Sequence, residues 1–360
     1  MRGRIMVLAA LATGALLPGQ AIAESCEPAD LASLRGWGGV WIAEGMQAPI
    51  SGRLATDSAA NRQLIRMVGL DAPWNEAGIA RLEEMVRITI AGLQKQAGWG
   101  FPMMMNTVAP LSFVVAPQET FIISQYRDIR HVYTDGRPQP AKEDRWPTPW
   151  GNSIGCWQGD TLTIKTIDAG YDPKFNYAAP PVSDDAKFVE TLRLVAPDRL
   201  ESTMTVIDPA LLTQPWTIHI SYVHPQGVDR LIHDGDMFEN DRSVTDGRSP
   251  TIASVRESER AATPRPEVRL SEAQIDRLVG DYFIDGSGIV MHVERRGGLL
   301  WAGTDPQPTL PFHAQDPLNF EARAIDMTLR FKTDAAGRVT GFEGRGPDGQ
   351  PMTGKSAYRP

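Results

Sequence analysis

The chain has 360 residues, 42% hydrophobic and 22% charged, with 33 glycines and 28 prolines. That is enough apolar material for a sizeable core, and it excludes collagen-like, coiled-coil and wholly disordered chains. The net charge of −8 argues against a nucleic-acid or anionic-membrane surface, which needs clustered Lys and Arg, so no nucleic-acid partner is expected.

The N-terminus reads as a processing segment. Arg2 and Arg4 precede the apolar run Ile5 to Leu17, and Ala21-Ile22-Ala23 has the small residues of a cleavage site, so residues 1–23 are expected to be a signal peptide cut after Ala23. The run is well short of the roughly 20 residues that span a bilayer, so no membrane insertion is expected after cleavage. A periplasmic or secreted protein follows as the expectation. In that oxidising setting the only two cysteines, Cys26 and Cys156, either form one disulfide or remain separate buried thiols. Their separation lacks the short paired spacing of a structural zinc site.

Residues 24–60 look irregular, with Trp37 and Trp41 around a Gly-rich turn. A main helix is expected near 76–96, where Ile79, Leu82, Met85, Val86, Ile88, Ile90 and Leu93 recur at three- and four-residue spacings before Gly98 and Gly100. From Phe101 to about His233 the signals are those of strands: 111–115, 120–124, 131–134 ending at Asp135-Gly136, 157–167 broken at Gly159-Asp160, 189–195, 200–207 and 216–223. Residues 241–270 are rich in Ser, Thr, Arg, Glu and Pro and read as a linker. Beyond it, Ser271 caps a short helix, and strands at 288–295, 299–302, 319–322, 327–332 and 339–343 suggest a single small sheet, a half-barrel. The expected fold class is mainly β: an antiparallel barrel in the manner of lipocalins and other calycins, or a sandwich, over 24–240 with one main helix, plus a small C-terminal β-domain over 271–360.

Five segments carry a resemblance: FPMMMN at 101–106, VYTDGRPQP at 132–140, GNSIGCWQGDTL at 151–162, DPALLTQPW at 208–216 and ENDR at 239–242. In order and spacing they are similar to a widespread, poorly characterised family of exported bacterial proteins, which implies an exported β-rich domain and names no reaction. Where that pattern has His, this chain has Gln139 and Asn152; where it has Glu and Asp, it has Gln158 and Lys165. Amides neither take up a proton near pH 7 nor ligate zinc as imidazole does. The last 90 residues separately resemble the small β-domain appended to secreted serine β-lactamase-like hydrolases, through LVGDYFIDG at 278–286, the run from Phe331 and the closing Ala357-Tyr358-Arg359. The companion nucleophile domain has no place here.

Candidate chemistry concentrates in RWPTPWGNSIGCW. Trp146, Trp150 and Trp157 with Asp144, Asn152 and Gln158 suit stacking on a sugar or flat ligand, or the rings plug a barrel end. Met103, Met104 and Met105 would line an adaptable apolar pocket. Arg137, with Arg127, Arg130 and Lys142, would hold a carboxylate-bearing ligand or blunt a strand edge. Among the carboxylates, Asp135, Asp160 and Asp208 read as turn residues, and Asp184 and Asp185 cannot share a strand face. Glu190 sits inside an expected strand; pointing inward, it needs a partner such as Arg193, or a function.

The six histidines include no pair at the one- or three-residue spacing that reaches one ion, and His219, His224 and His233 give only a scattered trio, so no metal is expected. There is no GxSxG, Walker or HExxH motif, GWGGVW at 36–41 lacks the dinucleotide context, and no cofactor is expected. Two functions remain open. One is a binding protein holding a small apolar or glycoside-like ligand in a barrel pocket between residues 99–105 and the Trp146–Trp157 loop. The other is a secreted hydrolase or lyase on a carbohydrate-like or plant-derived substrate, with Glu190 or Asp184 as base and Asn152 donating to developing charge.

Overall fold

The computed structural model describes residues 26, 29–44, 72–90, 99–106, 109–126, 128–172, 179–231, 267–304, 309–347 and 349–357. The expected signal peptide and residues 241–266 of the expected linker lie outside them. The chain is mainly β and forms two closed barrels in sequence order.

The first barrel has nine strands: β1 (Val40–Ala43), β2 (Leu111–Val115), β3 (Glu119–Ser124), β4 (Ile129–Tyr133), β5 (Asn152–Gln158), β6 (Thr161–Ile167), β7 (Lys187–Ala196), β8 (Arg199–Ile207) and β9 (Trp216–Val223). Strand alternation turns every second side chain inward, as with Leu200, Ser202, Met204 and Val206 in β8 and Trp216, Ile218, Ile220 and Tyr222 in β9. The sheet closes through β1, which pairs Val40 with Ser112 on one side and Ala43 with Tyr222 on the other. The sequence reading missed β1 because all four of its residues are buried, leaving no period of two to see.

Asp135-Gly136 is not a hairpin turn, as was expected from the dipeptide. β4 and β5 run parallel, with Val132 opposite Ser153, and parallel neighbours need a crossover, here residues 134–151.

The helix α1 (Glu76–Ile90) covers the start of the expected 76–96, of which 91–96 lie outside the described residues. Asn75 starts it: its Oδ1 accepts the Gly78 N–H at 3.0 Å while its Nδ2 donates to the Ala210 carbonyl at 3.0 Å, tying the helix to the turn before β9. Ile79, Leu82 and Met85 then pack into the barrel's core cluster.

That core is dense. Trp37 meets Phe113 and Trp157 edge-on at centroid distances of 5.6 and 4.7 Å, and Phe101 meets Phe188 at 4.7 Å. Over the described residues, the interior expected to hold a ligand is occupied by the protein's own rings and methionines.

The second barrel has eight strands rather than the expected half-barrel: β10 (Gly280–Ile284), β11 (Val290–Arg296), β12 (Leu299–Thr304), β13 (Leu310–Ala314), β14 (Asn319–Ala322), β15 (Met327–Thr333), β16 (Val339–Arg345) and β17 (Pro351–Ser356). It closes where β10 pairs with β17, Tyr282 opposite Ser356. Three strands were hidden for physical reasons: β10 opens on glycine and buries only Tyr282, β13 is buried at all five positions, and β17 opens on proline and contains glycine. The short helix α2 (Glu272–Asp276) has the expected Ser271 cap, reciprocated by Gln274 as a capping box, and buries Ile275.

The two barrels share apolar contact. Trp301 and Leu310 of the second belong to the core cluster of the first, with Leu299 and Ile325 packed against it. This sets α1 alongside β13. Among the described residues no helix is long and apolar enough to cross a membrane.

Candidate functional site

The residues singled out from sequence do not converge on one opening. Trp157 and Met104, at 4% and 0% exposure, are core residues of the first barrel. Asp184 is exposed in the turn before β7. Arg137 stands on the surface, its guanidinium paired with Asp135 and stacked 4.2 Å over the Tyr133 ring. Hydrogen bonds from the Arg137 side chain, helped by its backbone N–H and its charge, hold the Asp135 carboxyl at about 2, below its ordinary range.

Residues 99–105 and the Trp150 loop are neighbours, as expected, but a carboxylate joins them. Buried Asp128 accepts hydrogen bonds from the Trp99 and Gly100 N–H groups, the Trp150 indole at 2.9 Å and the Ser124 hydroxyl. Phe101 adds a backbone bond to the Pro149 carbonyl at 2.7 Å. Trp150 is thus a strut between two loops.

Glu190 does point inward and is fully buried, but its partner is Arg130, not Arg193, which lies on the surface near Asp160. The Arg130 guanidinium grips both Glu190 oxygens, donates through Nε to Ser153 Oγ at 3.1 Å and through a terminal nitrogen to Thr166 Oγ1 at 2.7 Å, and lies 4.0 Å over the Phe101 ring. A carboxylate held at both oxygens by one guanidinium is placed for a structural task. Burial pushes the nearby Tyr222 hydroxyl far up, the Glu190 charge adds to this and Arg130 opposes it, while the hydroxyl donates to the Met105 carbonyl.

Asn152 opens β5 at the end of the crossover. Its Nδ2 donates to Asp168 Oδ2 at 3.0 Å, and Arg145 Nε lies 3.5 Å from the same oxygen. Gln139 Nε2 donates to the carbonyls of Asn152 and Lys165 at 3.1 and 3.0 Å. Three of the four positions that depart from the resembled pattern, Gln139, Asn152 and Lys165, therefore meet here. Trp146, in the same crossover, is 69% exposed.

A cleft of about 630 Å³ opens where α1 faces the second barrel. Its apolar walls include Trp74, Ile79, Leu270, Leu299 and Phe312, and its polar end is an ionic chain. His313, on β13 and 6% exposed, shares its Nε2 with Glu83 of α1 at 2.5 Å, and its Nδ1 lies 3.2 Å from Glu267. The Nδ1 contact is ionic, without hydrogen-bond geometry. Glu267 in turn takes Arg323 at 3.0 Å. Burial pulls the His313 imidazole down, but the Glu83 hydrogen bond and charge, with Glu267, outweigh it against Arg323, leaving it above the usual histidine value.

None of these four residues was selected from sequence. The available signals were local: Glu83 falls four residues after Ile79 on the apolar side of α1, and His313 stands in the apolar run Leu310–Ala314. Each is a polar residue where a core residue belongs, and each is answered by the other barrel. The other described histidines serve locally, His131 on Glu119, His219 on Thr203, His224 on the Val40 carbonyl and His292 on Asp281. His233 lies outside the described residues.

No protein-family model matches the chain, and no curated protein matches it in sequence.

Proposed function

We propose that this is an exported small-molecule-binding protein whose ligand lies in the cleft between α1 and the second barrel. The observation that carries the reading is the cleft itself: about 630 Å³, with apolar walls, the ionic chain around His313, and further polar groups at Asn75, Glu76, Thr213 and Arg269. An amphipathic molecule suits it. Its apolar body would lie on Ile79, Leu270 and Leu299, with a hydroxyl or amine donating to Glu83 or Glu267.

Export is supported by the N-terminal pattern, by the resemblance of the 101–242 motifs to exported proteins, and by the Cys26–Cys156 disulfide. Among the described residues, the acid and amide proposed for the hydrolase or lyase reading are not assembled into one constellation. Glu190 faces the interior, Asp184 is exposed in a turn, and Asn152 is bonded to Asp168.

The test uses the neutral apolar dye N-phenyl-1-naphthylamine. Dye fluorescence should rise on binding to the full chain and be lost in Ala80→Trp, which fills the cleft from the exposed side of α1, at an unchanged melting temperature. Equal binding by the two proteins would reject the site.

A further inference from the structure

We propose that the cleft between α1 and the second barrel takes a cationic amphiphile, in chemical class an alkylamine, whose ammonium replaces the His313 proton as the counter-charge of Glu83, so that binding tightens as pH rises. The inference rests on the small-ligand reading of that cleft and narrows it to one charge type.

The charges lining the cleft do not balance. Glu76, Glu83 and Glu267 are set against Arg269, Arg323 and His313, so the lining carries one net negative charge when the imidazole is neutral and none when it is protonated. Two of the carboxylates have a guanidinium of their own: Arg269 meets Glu76 at 3.3 Å in open solvent, and Arg323 meets Glu267 at 3.0 Å. Glu83 has none. Among the described residues its only cationic partner is His313, whose Nε2 it meets at 2.5 Å.

The groups around the imidazole are mostly acidic. Besides Glu83 on α1, Glu267 lies 3.2 Å from Nδ1, and Glu321, 7% exposed, stands directly opposite His313 on β14. The strand on the other side, β12, contains no titratable residue. Burial and Arg323 oppose a proton here, and Glu83 with Glu267 outweighs them.

Glu83 is also within reach of a ligand. It lines the cleft with 11% of its side chain exposed, and Ile79, four residues earlier on the same face of α1, lines it too. An ammonium on Glu83 therefore leaves its alkyl chain to Ile79 and the apolar walls.

Two cations on one poorly hydrated carboxylate repel each other strongly. An arriving ammonium accordingly expels the imidazolium proton to the buffer, and the neutral imidazole still donates to Glu83 through Nε2–H. An alcohol brings no charge and leaves the proton where it is. A carboxylate adds to an excess of anions and is rejected. Because the folded His313 value lies above 6.5, affinity for the ammonium should climb by up to about tenfold per pH unit below that value and be level above it.

The test is displacement of N-phenyl-1-naphthylamine from the full chain by octylamine, octanol and octanoate between about pH 5.5 and 9, where the amine stays protonated. At the alkaline end octylamine should displace the dye at about one-tenth the concentration of octanol, with octanoate weakest. Affinity for octylamine should rise with pH while that for octanol stays level. Glu83→Gln should bring octylamine back to the level of octanol, and His313→Gln should flatten the octylamine profile. Failure of the dye to bind the wild type overturns the small-ligand reading and this inference with it. Dye binding in which octylamine is no better than octanol, or shows a flat profile in the wild type, overturns this inference alone, as does an amine preference unchanged in Glu83→Gln.

Discussion

Arg130 and Glu190 face each other inside the first barrel, 60 positions apart in sequence, with Ser153 and Thr166 filling out the guanidinium's bonds. Strand alternation made the inward direction of Glu190 legible, but not its partner, because Arg130 comes from β4 across the barrel and no local spacing links them. Removing one charge leaves the other buried without compensation. Glu190→Gln should therefore lower the unfolding free energy by about 3–5 kcal/mol in denaturant titrations, while the double replacement Arg130→Met with Glu190→Leu should recover most of it. A single-variant loss under about 1 kcal/mol would show that the pair does not hold this interior together.

At the level of elements, the strands that were readable are those with one buried face, such as β8 and β9. Among those that were not, β1 and β13 are buried on both faces and carry no alternation. Position 26 is fastened to the outside of β5 by the Cys26–Cys156 disulfide, which closes a loop of 130 residues. Sequence left open whether these cysteines pair, since only the barrel brings the two positions to a Cα separation of 5.1 Å. Because so long a loop restricts the unfolded chain strongly, Cys26→Ser should cost the first barrel about 2–4 kcal/mol, with the second barrel's transition unmoved. Matching unfolding curves for the oxidised and Cys26→Ser proteins would contradict this.

Over the whole molecule, the two barrels are joined by the apolar contact around Trp301 and Leu310 and by the Glu83–His313–Glu267 chain. The folded His313 value lies above its ordinary 6.5, so the imidazolium's contribution is complete below about pH 6.5 and is lost as pH rises through the folded value. Thermal stability should accordingly fall on the alkaline side of about pH 6.5, and His313→Gln, lacking the titration, should be flat there. Equal slopes for the two proteins would dismiss the clamp.

Residue order was enough to specify two β-rich units, the approximate helix and most strands, because these depend on local periodicity and turn chemistry. Barrel closure, the parallel crossover, the burial of Trp157 and Met104, and the meeting of α1 with His313 depend on contacts between distant segments. Side chains alike in sequence take opposite roles there: Trp157 fills a core, Trp150 braces two loops and Trp146 stands in solvent. Neighbours from other strands decide between those roles, and no periodicity records them.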